Sequence, residues 1–209
     1  MKNKKRVKDL AEVYTESREV NDMLNLVADI KYDSTYLEPG CGNGNFLEEI
    51  LNRKFKLIKK IKEVKHLKKI RVLEEFEFRS LISLGSIYGI DIDKENINES
   101  KLRLRKLFIE QIENYTNKTI EEGLVESAEY ILNKNLILGD FINKNNDIFF
   151  SQFSEFSGYQ LKESIYTLDE LLYPVDEVFR NDYKLFGHVP SVHKEFNPIK
   201  FNQIYKNGK

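Results

Sequence analysis

Three short stretches of this sequence carry residue types that suit the binding of a nucleoside-like ligand. The first is "EPGCGNG", in which Gly40, Gly42 and Gly44 follow an extended apolar run and precede a helical pattern. Glycine lets a backbone turn sharply and approach a ligand closely, so this stretch predicts a binding turn between a strand and a helix. A tight strand-to-helix connection without a ligand is the alternative explanation.

The other two stretches are short apolar runs that end in acidic residues. "GIDID" places Asp91 where the hydroxyl groups of a sugar would need a carboxylate acceptor. "LGDF" places Asp140 and Phe141 where an amine and the face of a purine ring would meet them. Taken in this order along the chain, the three stretches predict one site for a nucleoside.

The elements that position these residues alternate between helical and extended patterns. Apolar spacing predicts strands at "STYLEPG", "SIYGIDID", "NLILGDF" and "NDIFFSQF", with amphipathic helices before and between them. Strands separated by helices predict an α/β fold, with a mostly parallel sheet and helices on both faces. Ligands of such sheets bind outside the carboxyl ends of the strands. Thr15 or Ser17 is the predicted cap of the first helix. The pattern weakens past Tyr159, and the chain from Lys184 onward is predicted to be loop or tail.

The composition is that of an ordinary globular protein. The chain has 209 residues, a formal net charge of −1 and 41% hydrophobic residues. It is long enough for one domain with a core of its own. No apolar run reaches the roughly 18 residues of a membrane-spanning helix, and the basic start "MKNKKRVKDL" does not resemble a secretory signal. A single cysteine, Cys41, allows no internal disulfide, so we expect a cytoplasmic protein.

The segment from Lys54 to Arg71 is strongly basic, with one acid among many lysines. It is predicted to be a solvated helix face; its apolar residues, expected to face the core, are Phe55, Ile58, Ile61 and Leu67. The alternative is a surface that contacts the phosphates of DNA. No metal site is predicted, because the three histidines have no evident metal-ligating partners in the sequence; they are His66, His188 and His193.

"LEPGCGNGNFL" resembles the cofactor-binding motif of class I S-adenosylmethionine-dependent methyltransferases, in particular the adenine-specific (N6) DNA methyltransferases of restriction–modification systems. The upstream segment "AEVYTESREVNDMLNLV" resembles the lead-in of those enzymes. Tyr14 and Thr15 fit its Phe-Thr-Pro-like triplet, and Glu16 departs from the proline. The strands ending in "GIDID" and "LGDF" are similar to the next two strands of that family. The resemblance covers about residues 11 to 142 and implies a Rossmann-like fold that binds S-adenosyl-L-methionine.

The resemblance also implies roles for individual residues. Asp91 would accept hydrogen bonds from the ribose, Ile92 would pack on the adenine, and Thr15 would close the site over the carboxylate end. Asp140 and Phe141 would recognise the edge of the adenine. The methionine moiety would lie in a cradle formed by Glu38, Pro39, Gly40, Cys41, Gly42, Asn43 and Gly44. Asp93 has a simpler explanation as the cap of the following helix.

The sequence departs from the family where the acceptor should be held. Amino-methylating DNA enzymes follow the fourth strand with Asn or Asp, two prolines and an aromatic residue, which orient the flipped base and stack on it. The chain has four prolines, none adjacent. At this place it has Gln152, a candidate amide acceptor, and Phe153, a candidate stacking ring; an ordinary strand end is the alternative. "FNPIKF", from Phe196, contains an Asn-Pro pair too far along the chain to fit.

A second departure lies between the glycine turn and Asp91, which are about 50 residues apart. About 20 is usual in dinucleotide folds. We therefore predict a basic helical insertion at about residues 53–80 of an S-adenosylmethionine-binding domain at 1–160. Residues 161–209 are predicted to extend the same domain, with no separate target-recognition domain. Target recognition would then depend on a protein partner, in addition to the basic segment.

Four functions stay open at this point. The first is methyl transfer to DNA adenine with a divergent acceptor loop. The second is a catalytically degenerate, methyltransferase-like binding subunit or regulator in a DNA-modification or mobile-element system. The third is methyl transfer to a small molecule, RNA or protein, which needs no Asn-Pro-Pro loop. The fourth is a dinucleotide dehydrogenase, although "GCGNG" lacks the third glycine at the expected step.

Overall fold

The computed structural model describes residues 15–27, 30–60, 69–143, 148–168 and 192–209. Its helices are α1 (Ser17–Asn25), α2 (Asn45–Lys60), α3 (Lys69–Gly85), α4 (Lys94–Thr116) and α5 (Glu122–Asn135), and a 3-10 helix spans Phe201–Gly208. Its strands are β1 (Tyr36–Pro39), β2 (Ile87–Asp91), β3 (Leu136–Leu138), β4 (Phe149–Phe156), β5 (Gln160–Thr167), β6 (Lys194–Glu195) and β7 (Ile199–Lys200). The protein is therefore mixed α/β, and the four predicted strands and the helices between the first three are confirmed.

Strands β1, β2 and β3 form a parallel sheet in that order. Because both crossovers run in the same direction and such crossovers are right-handed, their helices lie on one face of the sheet. Alternation along the strands agrees: Tyr36, Ile87 and Leu136 pack into the helical core. Their neighbours Leu37, Tyr88 and Ile137 pack on the opposite face against Ile148, Phe150 and Leu168. The chain that follows Leu168 lies outside the described residues, so the prediction of helices on both faces is confirmed for one face and stays a prediction for the other.

The fourth predicted strand is present, but it does not extend the parallel sheet. β4 pairs antiparallel with β5, and β5 pairs antiparallel with β6 and β7 in a second sheet. A sharp turn at Gly158 and Tyr159, both with positive φ, joins β4 to β5. The prediction of loop or tail from Lys184 is also wrong for residues 194–208, which form β6, β7 and the 3-10 helix.

Two helix starts test the predicted caps. α1 is preceded by Glu16, whose N–H donates to the Glu19 carboxylate at 3.3 Å, so the prediction of Thr15 or Ser17 as the cap is wrong. α4 is capped by Asp93, whose side chain accepts the N–H of Glu95 at 2.7 Å. The simpler explanation for Asp93 is confirmed.

A buried carboxylate, that of Glu163, joins the second sheet to the rest of the fold. The Glu163 side chain is fully buried and accepts hydrogen bonds from three side chains on three other elements. The Tyr130 hydroxyl donates to both oxygens at 3.0 and 3.1 Å, Ser151 Oγ donates at 2.7 Å and Asn207 Nδ2 donates at 2.9 Å. Burial and this carboxylate raise the pKa of Tyr130. The contact therefore ties α5, β4, β5 and the 3-10 helix together.

A second buried polar group is found on α2. Lys54 of α2 is fully buried, and its Nζ donates to Ser34 O at 2.5 Å and Ser86 Oγ at 2.5 Å. Ser83 O lies at 3.4 Å from the same nitrogen. Burial lowers the pKa of Lys54 to about 7, against an opposing effect of Asp33. This lysine links α2 to the segment before β1 and to the turn before β2.

The lowered pKa of Lys54 predicts how stability depends on pH. In the unfolded chain a lysine has a pKa of about 10.4, so above pH 7 unfolding takes up a proton and the free energy of unfolding rises with pH. Glu38, whose pKa is raised in the fold, makes the free energy of unfolding fall with pH over the same range. Because Glu38 is present in both proteins, comparing the wild type with Lys54→Met isolates the contribution of the lysine. The difference in unfolding free energy should change by about 2 kcal/mol in favour of the wild type between pH 6.5 and pH 8.5. Denaturant titrations measure it; parallel profiles for the two proteins would contradict a lysine that loses its charge on folding.

Among the described helices, none combines the length and the apolar character that crossing a membrane requires.

Candidate functional site

A cleft of about 530 Å3 opens at the carboxyl ends of the three parallel strands. Volumes of this size are typical of small-molecule sites. Three groups of residues line it. Pro39 ends β1, and Gly40 and Gly42 follow it; Ile92 and Asp93 follow β2, and Asn96 lies in the first turn of α4. The loop after β3 contributes Gly139, Asp140, Phe141, Ile142 and Asn143. Ile90 and Asp91 of β2 complete the lining. The structure thus brings together the three stretches that the sequence singled out.

The glycine turn uses most of its own N–H groups. The N–H groups of Gly40 and Cys41 donate to Ile90 O at 2.7 and 2.9 Å, and that of Gly44 donates to Cys41 O at 2.9 Å. Gly42 N–H donates to the Asp91 carboxylate at 2.8 Å. Four of the five N–H groups from residue 40 to 44 are therefore unavailable to a ligand. A loop that cradles phosphates needs those groups to point at the anion.

Glycine is required in this turn for two different reasons. Gly40 and Gly42 have φ values of 110° and 54°, and a Cβ at either would meet open space. At Gly44, with φ of 83°, a Cβ would lie 2.9 Å from Ser100 Oγ. Ser100 in turn donates to Gly42 O at 2.8 Å, which fixes the turn against α4. The turn therefore needs left-handed backbone at all three positions and close packing at the last.

Asp91 is buried and organises the floor of the cleft. One carboxylate oxygen accepts the N–H of Gly42, and the other accepts the N–H of Asp93 at 2.8 Å and lies 3.4 Å from Asn96 Nδ2. The backbone carbonyl of Asp91 accepts the N–H of Gly139 at 3.0 Å, which joins the loops after β2 and β3. A carboxylate can accept about four hydrogen bonds, so one acceptor position is left for a ligand hydroxyl.

Glu38 lies beside Asp91 and is only partly satisfied. Its Oε2 is buried and accepts no hydrogen bond in the described part of the chain. Burial raises the pKa of Glu38 to about 8, and the charge of Asp91 adds to the shift. A ligand ammonium at Glu38 would supply the missing donor and stabilise the ionised carboxylate. Glu38 does not itself line the cleft; it supports the strand end beneath it.

Cys41 is packed into the base of the turn, where it is 4% exposed. Its Sγ lies where a Cβ on Gly89 would meet it at 2.9 Å, so β2 passes directly beneath. Burial raises the pKa of the Cys41 thiol to about 12, and the carboxylates of Asp91 and Glu38 act in the same direction. The thiol is therefore a small packing group, since nucleophilic cysteines have lowered pKa values.

This environment predicts the reactivity of the thiol. Iodoacetamide at pH 8 should alkylate Cys41 of the folded protein at least about 100-fold more slowly than that of the urea-unfolded chain. Intact-mass spectrometry follows the reaction without ambiguity, because the sequence has one cysteine. Fast labelling of the folded chain would mean that the turn opens readily.

The loop after β3 is folded around Asp140. One of its carboxylate oxygens accepts the N–H groups of Ile142 and Asn143, both at 2.9 Å, and the other accepts Asn143 Nδ2 at 2.6 Å. These hydrogen bonds lower the pKa of Asp140. Phe141 lines the cleft and packs partly on the second face of the sheet. Asp140 thus lines the cleft as an ionised carboxylate that hydrogen bonds from its own loop hold in position.

Five predicted cofactor residues are not among those that line the cleft: Thr15, Glu38, Cys41, Asn43 and Gly44. The carbonyl of Thr15 lies 3.4 Å from Asn45 Nδ2 at the start of α2, and Asn43 Nδ2 lies 3.4 Å from Glu99 Oε1. Thr15 is therefore placed at the glycine turn, while Tyr14 lies outside the described residues. Closure of the site by Thr15 and a contact of Asn43 with the methionine moiety stay predictions.

The two predicted catalytic residues are not brought to the cleft. Gln152 is exposed on the outer face of β4, in a pair with Ser164 of β5. Phe153 is 6% exposed, and its ring packs against Gly85, where a Cβ would lie 3.0 Å from Phe153 Cδ2. The centroids of the Phe153 and Tyr130 rings are 6.4 Å apart, in an edge-to-face arrangement. The prediction that Phe153 stacks on a flipped base is wrong, because this ring is part of the hydrophobic core. β4 leaves the parallel sheet, which carries Gln152 away from the strand ends.

The basic segment is only partly described. Phe55 and Ile58 are buried as predicted. Residues 61–68, and with them Ile61, His66 and Leu67, lie outside the described residues. Lys54 is buried, so this residue is not available to contact the phosphates of DNA. Lys59 donates to Gln111 at 2.7 Å. Lys56 and Lys60 are exposed.

The structure adds residues to the site that the sequence did not single out: Asn96, Gly139, Ile142 and Asn143. Asn96 follows Asp91 by five residues, and its helical position on α4 turns it toward the cleft. Ile142 and Asn143 follow directly after Asp140 and Phe141. A search of the residues next to each strand end would have found the last two.

No family model, no curated protein and no solved structure matches the chain. Within the described ranges, no group of three or more His, Cys, Asp or Glu residues is arranged to hold a metal ion. His193 packs its ring 4.8 Å from that of Phe149; His188 lies outside the described residues.

Proposed function

We propose that the chain is an S-adenosylmethionine-dependent methyltransferase domain of Rossmann-like fold that acts on adenine N6 of DNA. The observation that carries the proposal is an acidic cleft above a glycine turn whose N–H groups are used internally. Asp91, Asp93 and Asp140 line this cleft, and none of its lining residues within the described ranges, which stop at residue 143 and resume at 148, is a lysine or an arginine. Such a cleft suits a ligand with cationic groups and a sugar, and it disfavours the pyrophosphate of a dinucleotide.

The residues present fit this cofactor. The buried Oε2 of Glu38 lies beneath the cleft without a hydrogen-bond donor among the described residues, so pairing with the ammonium of the methionine part requires the end of β1 to open toward the ligand. Gly40 and Gly42 leave open space where a Cβ would otherwise project, which supports close approach of a ligand to the turn. Asp91 keeps one acceptor position for the ribose, and Asp140 is an ionised acceptor for an exocyclic amine.

The bound cofactor supplies an electrophilic methyl group on a sulfonium. The chain's own residues bind and orient it. Asp91 holds the glycine turn and the loop after β2 in one arrangement, so that the ligand meets a preformed site. Glu38 loses its proton when a cationic group pairs with it, since its pKa is about 8 in the unliganded protein. Asp140 fixes the ring at the edge that carries the amine.

DNA is the proposed acceptor on the strength of the sequence resemblance. Lys56 and Lys60 are the exposed lysines of the described part of α2 that remain for contact with phosphates. A protein partner is proposed to supply recognition of the target sequence.

Methyl transfer tests the proposal directly. The purified chain, incubated with S-adenosylmethionine labelled in the methyl group, is expected to label duplex or single-stranded DNA at adenine. Asp91→Ala should abolish the labelling. Label in total RNA or in protein, with none in DNA, would show that the acceptor class is wrong.

A second function is favoured by one observation: neither Gln152 nor Phe153 lies at the cleft. The amides that do line it have other contacts: Asn143 Nδ2 donates to Asp140, and Asn96 Nδ2 lies 3.4 Å from the Asp91 carboxylate. We propose as the alternative a cofactor-binding subunit or regulator of a DNA-modification or mobile-element system. Binding of S-adenosylmethionine without transfer to any acceptor, together with a stable partner chain in co-purification, would favour it.

A further inference from the structure

Ser100 of α4 makes its hydrogen bond across the fold, where three other helical hydroxyls bond within their own helices. The hydroxyls of Ser80, Thr116 and Ser127 donate to the backbone carbonyl four residues earlier, at 2.6, 2.9 and 2.7 Å. A bond of that kind is common for a hydroxyl inside a helix. Ser100 donates instead to Gly42 O, in the glycine turn 58 residues away, at 2.8 Å.

Packing alone does not require a hydroxyl at this position. Ser100 is fully buried beneath the turn, and a Cβ on Gly44 would lie 2.9 Å from its Oγ and 3.1 Å from its Cβ. Alanine would leave the same room for the turn and is the better helix former. The role of the Ser100 hydroxyl is therefore polar: it holds the carbonyl of Gly42.

Gly42 is held on both sides. Its N–H donates to the Asp91 carboxylate at 2.8 Å, and its carbonyl accepts from Ser100. The C=O and N–H of a trans peptide point in opposite directions, so the bond that holds Gly42 O against α4 directs the N–H of Asn43 away from α4. Among the five N–H groups of residues 40–44, that of Asn43 is the one with no acceptor in the described part of the chain.

We propose that Ser100 is a positioning residue that directs the N–H of Asn43 toward a carboxylate of the ligand. The proposal rests on the proposed function in taking this group to be the carboxylate of the methionine part of the cofactor. A backbone N–H makes a charge-assisted hydrogen bond with such a group. Without the hydroxyl, the peptide that joins Gly42 to Asn43 can turn, because glycine adopts both signs of φ, and the ligand would have to order it on binding.

The test compares Ser100→Ala with Ser127→Ala, a matched control. Ser127 of α5 is also fully buried, its hydroxyl bonds to Gly123 O of its own helix, and it is not among the residues that line the cleft. The probes are S-adenosylmethionine and decarboxylated S-adenosylmethionine, which differ only in the carboxylate. Calorimetry should give about three- to tenfold weaker binding of S-adenosylmethionine to Ser100→Ala. The decarboxylated ligand should bind Ser100→Ala within about twofold of the wild type, and Ser127→Ala should bind both ligands like the wild type.

Equal weakening of both ligands by Ser100→Ala would mean that the whole cleft loosens, and it would overturn the positioning role. Unchanged binding of S-adenosylmethionine to Ser100→Ala also overturns this role and leaves the proposed function standing. A wild-type chain that binds neither ligand at millimolar concentration overturns both.

Amide hydrogen exchange, followed by NMR, gives a second test that needs no variant. In the wild type, S-adenosylmethionine should slow the exchange of the Asn43 N–H, and the decarboxylated ligand should slow it much less. Equal effects of the two ligands on this N–H would overturn the positioning role, whether or not Ser100→Ala folds.

Discussion

Asp91→Ala is expected to weaken the binding of S-adenosylhomocysteine by about 100-fold or more. The substitution removes the proposed ribose acceptor. It also releases the N–H groups of Gly42 and Asp93, which both donate to this carboxylate at 2.8 Å. The glycine turn and the loop after β2 then lose their common anchor, so a ligand would have to order them on binding. Isothermal calorimetry measures the ratio of dissociation constants.

The control for this prediction is Asp22→Ala. Asp22 pairs with Arg18 on the exposed side of α1, away from the cleft, and its loss should leave the affinity unchanged. Asp91→Asn should fall between the two, because one amide oxygen still accepts a hydrogen bond. Equal affinities for the wild type and Asp91→Ala would show that the ligand does not bind at the end of β2.

Glu163→Ala is expected to lower the free energy of unfolding by about 3–5 kcal/mol, the largest stability effect of any single substitution considered. The fully buried carboxylate accepts from Tyr130, Ser151 and Asn207, so its removal leaves three donors without an acceptor and creates a cavity. Glu163→Gln keeps the side-chain volume but places an amide NH2 group opposite groups that are themselves donors. It should lower the free energy of unfolding by about 1–2 kcal/mol. Urea titrations followed by circular dichroism measure both.

Glu155→Ala provides the comparison on the same hairpin. Glu155 is exposed at the end of β4, and its loss should change stability by less than about 0.5 kcal/mol. If Glu163→Ala were as mild as Glu155→Ala, then the second sheet and the 3-10 helix would not be tied to α5 through this carboxylate.

The parallel sheet and the cleft were predictable because their signals are local. A glycine turn between a strand and a helix needs left-handed backbone, and only glycine adopts it without strain at Gly40, Gly42 and Gly44. Acids after short apolar runs mark strand ends, and parallel strands gather their carboxyl ends at one edge. The sequence therefore predicted that Asp91 and Asp140 share one cleft, as they do.

The second sheet was not predictable in the same way, because strand pairing depends on distant residues. "FFSQFSEF" has the alternation of a strand, but nothing in it states whether the strand joins the parallel sheet or pairs with Gln160–Thr167. Gly158 permits the left-handed backbone of a hairpin turn, which favours the second pairing. The prediction for Phe153 failed for that reason, since its face of β4 packs on the helices.

Lys54 shows a related difficulty within a helix. In sequence it belongs to a basic run and predicts exposure, yet its Nζ finds acceptors on Ser34 and Ser86, residues 20 and 32 positions away. The spacing of apolar residues along a helix does not show which distant acceptors will lie next to one of its faces. The prediction of a DNA-binding surface on this segment therefore overstated its exposed charge.

Hydrogen exchange measured by mass spectrometry, with and without S-adenosylmethionine, tests the central claim most directly. The ligand is predicted to protect three segments together: residues 39–44, 91–96 and 139–143, which form the three loops of the cleft. The backbone amides of the β4–β5 hairpin should exchange at the same rate with and without the ligand. No protection at millimolar ligand, or protection confined to segments outside these loops, would contradict a cofactor site at the strand ends.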